Sequence, residues 1–85
     1  MRSSTTSRFR EALGRLPPET QRLAREKFRL WLRDPVHPSL HFKRAGLLWS
    51  VRINEAYRAL GREQDGTLYW LWIGPHDEYE RLIRR

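Results

Sequence analysis

In the first third of the chain, apolar residues recur with the period of a helix. Phe9, Leu13 and Leu16 fall at i, i+4 and i+7 behind Ser7, a residue suited to cap a helix N-terminus. Pro17-Pro18 interrupts this stripe, and Pro18 fits the first turn of a second helix. There Ala24, Phe28 and Trp31 make one stripe, which Leu23, Leu30 and Leu32 widen. RDPVHPS ends it, because the residues before Pro35 and Pro38 are pushed out of the helical region. The pattern predicts helices over roughly 7–16 and 18–33, joined tightly into an αα-hairpin with one apolar side.

Beyond Pro38 the period shortens to two. In SLHFKR, Leu40 and Phe42 alternate with His41 and Lys43; in WSVRI, Trp49, Val51 and Ile53 alternate with Ser50 and Arg52. YRALG follows, then TLYWLWIG, which is apolar on both faces and reads as a central strand. The links are short: Ala45-Gly46, Asn54-Glu55-Ala56, and REQDGT with its Asp65-Gly66 turn signal. PHDEYERLIRR is polar and predicts a short terminal helix opening at Pro75. The expected class is α+β. An N-terminal helical hairpin covers one face of a four-stranded, mainly antiparallel sheet, a short C-terminal helix follows, and residues 1–85 make one domain.

Burial selects the register of the WSVRI–YRALG hairpin. A three-residue link places Ile53 opposite Tyr57 and Arg52 opposite Arg58, keeping Trp49, Val51, Ile53, Tyr57 and Ala59 on one face. Two cations then stand side by side on the other. Like charges opposite one another destabilise a sheet by up to about 1 kcal/mol. Either a carboxylate (Glu55, Glu63 or Asp77) lies between them, or an anionic ligand does.

Composition narrows the partners. The chain of 85 residues carries a formal charge of +7 and a pI near 11.0, which puts polyanions first: nucleic acid, an acidic protein or an anionic membrane. The excess is concentrated in residues 1–33, with nine Arg/Lys against three acids, a pattern also expected of a solvated helical surface. There is no cysteine, so no disulfide or thiolate ligand holds the fold, which fits a reducing cytosol. No apolar run approaches the length that spans a bilayer, and MRSSTTSRFREAL lacks the apolar segment of a secretory signal. The expected location is cytoplasmic.

Candidate chemistry gathers at the tail. His76 and Tyr79 follow the central strand directly, where a helix start presents both over the sheet face that carries Arg52 and Arg58. Histidine is the ordinary proton donor or acceptor near neutral pH, tyrosine donates a proton or stacks on a base, and arginine grips phosphate. Lys43 adds a charge from the polar side of the first strand. These are parts for binding, and cleaving, single-stranded RNA. His37 and His41 flank Pro38 without a third ligand at zinc spacing, so neither metal nor any other cofactor is expected. Asp77 and Glu78 are general-base candidates, or simply acids complementing a helix dipole.

The ordered set DPVHPSLHFKR, WSVRI, AYRAL and WIGPHDEY resembles the RelE/ParE superfamily of bacterial toxins from type II toxin–antitoxin systems, over roughly Phe9 to Ile83. Arg58 matches the RNA-contacting arginine of a YRL-like strand, and Arg52 and, more loosely, Lys43 match basic residues on the preceding strands. His76 is similar to the G-x-H arrangement of the YafQ- and HigB-like branch, and Tyr79 to a terminal tyrosine. The resemblance implies a metal-independent, ribosome-dependent mRNA endoribonuclease that arrests translation. In it His76 is the acid or base, Arg58 and Arg52 clamp phosphate, and Tyr79 stacks or orients. It also implies an acidic antitoxin as partner, with mRNA on the ribosome as target. Two other readings remain open: a ParE-like DNA gyrase inhibitor without nuclease activity, and a non-catalytic basic nucleic-acid-binding module.

Overall fold

Thr6 opens the first helix in the computed structural model, which describes residues 2–84. Its hydroxyl accepts from the Phe9 backbone N–H at 3.2 Å and donates to the Trp70 carbonyl at 2.9 Å. The cap thus falls one residue before the expected Ser7, because the same side chain also fastens the helix to the sheet. This helix, α1 (Ser7–Gly14), stops short of Leu16, which packs on the core from the connection. α2 (Pro18–Arg33) has the expected limits, with Pro18 in its first turn. Phe9, Ala24 and Trp31 are buried and Leu23, Phe28 and Leu30 pack against them, while Leu32 is 59% exposed and leaves the stripe.

The α+β class holds, with a helical hairpin on one sheet face, but the sheet has a strand more than expected. β1 (Arg2–Thr5) runs parallel to β5 (Thr67–Pro75) at one edge. β4 (Tyr57–Gln64), β3 (Leu48–Arg52) and β2 (Lys43–Ala45) continue antiparallel, giving the order β1-β5-β4-β3-β2. β1 reads RSST and is exposed throughout, so no apolar alternation announces it. Backbone pairing to β5 holds it, together with Trp70 Nε1 donating to Ser3 Oγ at 2.8 Å.

β2 is also shorter than SLHFKR suggested. Pro38–Leu40 form a 3-10 turn whose Ser39 N–H donates to the His37 imidazole, and His41 takes a left-handed φ of 45°. Leu40 is nevertheless buried, and Phe42 packs on the core with its ring 4.6 Å from that of Trp49.

The β3–β4 register is the one burial selects. Arg52 faces Arg58 and Val51 faces Ala59, with Val51, Ile53 and Ala59 buried beneath the helices and Trp49 and Tyr57 packed beside them. The Asn54 side-chain oxygen accepts from the N–H groups of Ala56 and Tyr57 at 2.8 and 2.9 Å, which shapes the link. Asp65 and Gly66 both have positive φ, 52° and 79°, as a two-residue hairpin turn requires.

α3 (His76–Ile83) begins at the end of β5 and packs on the sheet face opposite α1 and α2. The terminal helix was expected to begin over that face, and Ser50, Leu60 and Tyr79 on it are buried. Among the described residues no helix is long and apolar enough to cross a membrane.

Candidate functional site

Strand pairing sets Lys43, Ser50, Arg52 and Arg58 on one sheet face, since Lys43 lies opposite Ser50 and Arg52 opposite Arg58. The start of α3 is tied to the same place: the His76 backbone N–H donates to the Ala56 carbonyl in the β3–β4 link at 2.8 Å. All five residues singled out from the sequence (Lys43, Arg52, Arg58, His76 and Tyr79) line one cleft of about 120 Å³. His41, Ser50 and Glu80 line it with them.

Arg58 is anchored rather than ion-paired. One guanidinium nitrogen donates to the carbonyls of Asn54, Glu55 and Tyr57, the last at 3.0 Å, leaving the rest of the fork for a ligand. Burial, and then the neighbouring Arg52, lower its pKa from the ordinary arginine value, while Tyr79 and Glu80 act the other way. Among the described residues the carboxylate that would explain the pair is not between them. Glu55 lies 3.8 Å from Arg52 but its side chain is 94% exposed, and among the described residues Arg58 has no carboxylate in ion-pair range. Glu63 is exposed on β4, and Asp77 lines a different depression.

His76 Nε2 sits 3.2 Å from Glu80 Oε1, one helical turn on, and Arg84 approaches the other oxygen of Glu80 at 3.7 Å. Among the described residues no protein partner bonds His76 Nδ1. Tyr79 is only 4% exposed, with its ring 5.8 Å from the imidazole, so packing occupies the faces on which a base would stack. Asp77 and Glu78 line other depressions and not this cleft.

Three contributors escaped the sequence reading. Glu80 was legible in principle from its i, i+4 spacing to His76, and Ser50 from its alternation with Arg52. His41 was considered only as a metal ligand, and its place depends on the 3-10 turn before it. Among the described residues no group of three or more His, Cys, Asp or Glu side chains stands together as a metal site would need. A larger cleft of about 450 Å³ lies between α1 and the end of β5, but its charges are mixed, Arg8 and Arg15 with Glu11 and Glu78.

No family model matches the sequence, and no curated relative does. Solved structures do. The chain is similar to that of the toxin–antitoxin complex RelBE2 from Mycobacterium tuberculosis, with 25% identity, a TM-score of 0.66, and 88% of this chain and 96% of that one covered. An archaeal RelE–RelB complex from Pyrococcus horikoshii OT3 is 24% identical, with a TM-score of 0.65 over 87% and 92% of the two chains. YafQ from E. coli strain BL21(DE3) reaches a TM-score of 0.74 over 93% and 98%, at 8% identity. Helical hairpin, strand order and these neighbours together give the chain a RelE/ParE-like fold, one it shares with toxins of toxin–antitoxin systems.

Proposed function

We propose that this protein is the toxin of a type II toxin–antitoxin system, that it binds single-stranded RNA in the His76 cleft, and that it cleaves mRNA on the ribosome. The observation that carries this reading is the Arg52–Arg58 pair, facing one another with no bridging carboxylate among the described residues, beside a histidine that has a nitrogen unbonded within them. A phosphodiester supplies the missing negative charge. In this reading Arg58 and Arg52 hold the phosphate oxygens and Lys43 adds a contact from the cleft edge.

The reaction needs no group beyond the side chains and the RNA. The ribose 2′-hydroxyl attacks the adjacent phosphorus, a base takes its proton, and the 5′-oxygen leaves with a proton from an acid. The products are a 2′,3′-cyclic phosphate and a 5′-hydroxyl. His76 holds one of these proton-transfer roles, and His41, lining the same cleft, is the candidate for the other. Glu80 orients the imidazole of His76. Buried Tyr79 takes the orienting role: it lines the cleft with Arg58 and its ring packs against the imidazole of His76. The natural inhibitor is a small acidic antitoxin, matching the +7 charge.

Induced expression separates this from gyrase inhibition. The proposal predicts growth arrest with cleaved mRNA and unaltered plasmid supercoiling. Altered supercoiling with intact mRNA makes the chain a gyrase inhibitor instead.

A further inference from the structure

A second cationic cleft, of about 390 Å³, adjoins the first and is lined by Leu23, Lys27, Ser39, Arg52, Asn54 and Glu55 among others. Arg52 lines both clefts. Lys27 reaches this cleft from α2, and its ammonium donates to Ser39 Oγ at 3.2 Å. That oxygen lies 2.9 Å from His37 Nδ1, which also accepts from the Ser39 backbone N–H at 3.2 Å. Nδ1 is therefore the unprotonated ring nitrogen, and the serine hydroxyl proton is directed at it. The lone pairs of Ser39 turn to Lys27 and fix the ammonium's direction.

Lys27 is half-buried, and among the described residues it has no carboxylate in ion-pair range. Glu55 also lines the cleft, but its side chain is 94% exposed and its approach to Arg52 is loose. A cation taken partly out of water and held by a neutral hydroxyl, in a cleft that a second cation also lines, is suited to take an anion.

We propose that Lys27 and Arg52 form a second phosphate subsite, holding the phosphate adjacent to the one bound by Arg52 and Arg58 in the same single-stranded RNA. Arg52 is the shared contact, since its rigid fork of donors reaches two phosphates where an ammonium serves one. Ser39 and His37 are positioning residues that aim Lys27. The inference rests on the RNA-binding reading of the first cleft.

The test is equilibrium binding of a labelled 2′-O-methyl hexanucleotide, which cannot undergo 2′-hydroxyl attack, across a series of KCl concentrations. Each phosphate contact on a single strand contributes about 0.7 to the slope of log K against log salt. Lys27→Gln, confirmed as folded by its thermal melt, is expected to bind severalfold more weakly with a slope shallower by about 0.7. Lys27→Arg keeps the wild-type slope. Ser39→Ala weakens binding but keeps the slope, because the charge remains and only its aim is lost. If Lys27→Gln retains wild-type slope and affinity while Arg58→Ala binds poorly, the second subsite is overturned and the first stands. If the wild-type protein does not bind the oligonucleotide at all, both are overturned.

Discussion

Arg52 and Arg58 face each other across β3 and β4, and among the described residues no carboxylate lies between them. The register that creates this contact is the one that keeps Val51, Ile53 and Ala59 in the core, so the fold cannot relieve the repulsion by slipping. Asn54 shapes the link and its carbonyl then accepts from Arg58, so the turn that fixes the register also aims the cation. In the proposed RNA-binding reading, stability is given up here for an anion-binding face.

The first prediction follows from that cost. Arg52→Gln removes one of the two facing charges without touching the bonds from Arg58 to the loop carbonyls. Its unfolding free energy should equal or exceed that of the wild type, by up to about 1 kcal/mol, while RNA binding weakens. Raising the pH does not mimic the change. The folded-state pKa of Arg58 is lowered, so folding disfavours its charged form at every pH below the arginine range, and relief comes only as pH climbs into it. An anion does mimic it: phosphate should raise the Tm of the wild type more than that of Arg52→Gln. Lower stability with unchanged RNA binding in Arg52→Gln would contradict the account.

Thr6 carries two jobs with one hydroxyl, capping α1 and bonding the carbonyl of Trp70. Thr6→Ala should lower stability by about 1–2 kcal/mol in urea unfolding, whereas Thr6→Ser should recover most of it. Equal losses in the two variants would assign the effect to the methyl group instead.

Trp72 lies folded over Gly74, leaving no room for a side chain there: a Cβ added at Gly74 would come within 2.5 Å of the indole. Gly74→Ala should therefore displace Trp72, change the tryptophan fluorescence and cost about 1–3 kcal/mol, as overpacking does. Since Gly74 pairs with Arg58, the variant should also weaken RNA binding. A variant as stable and as fluorescent as the wild type would show that the indole moves freely.

Where a face had to be buried, the sequence was readable. The β3–β4 register follows from which residues need the core, and α2 is bounded by Pro18 and by the prolines beyond Arg33. β1 was hidden because RSST buries nothing; its pairing comes from β5, some sixty residues away, through backbone groups that every sequence has. The 3-10 turn at Pro38–Leu40 was hidden because Leu40 and Phe42 keep the alternation of a strand without its backbone. At the site, charge and register together brought Arg52, Arg58, Lys43, His76 and Tyr79 to one cleft. The burial of Tyr79 was not readable, because it depends on how α3 lies across the sheet.

The central claim is that His76 moves a proton on an RNA bound by Arg58. The most direct test is cleavage of ribosome-bound mRNA by wild-type protein and by folded His76→Gln, with RNA affinity measured in parallel. His76 is at the first turn of a terminal helix and partly exposed, so the substitution should leave the melt nearly unchanged. The account predicts intact RNA binding with cleavage reduced on the order of 10²–10⁴-fold, the usual worth of a positioned acid or base. Cleavage by His76→Gln at the wild-type rate, or mRNA left whole by the wild type, would contradict it.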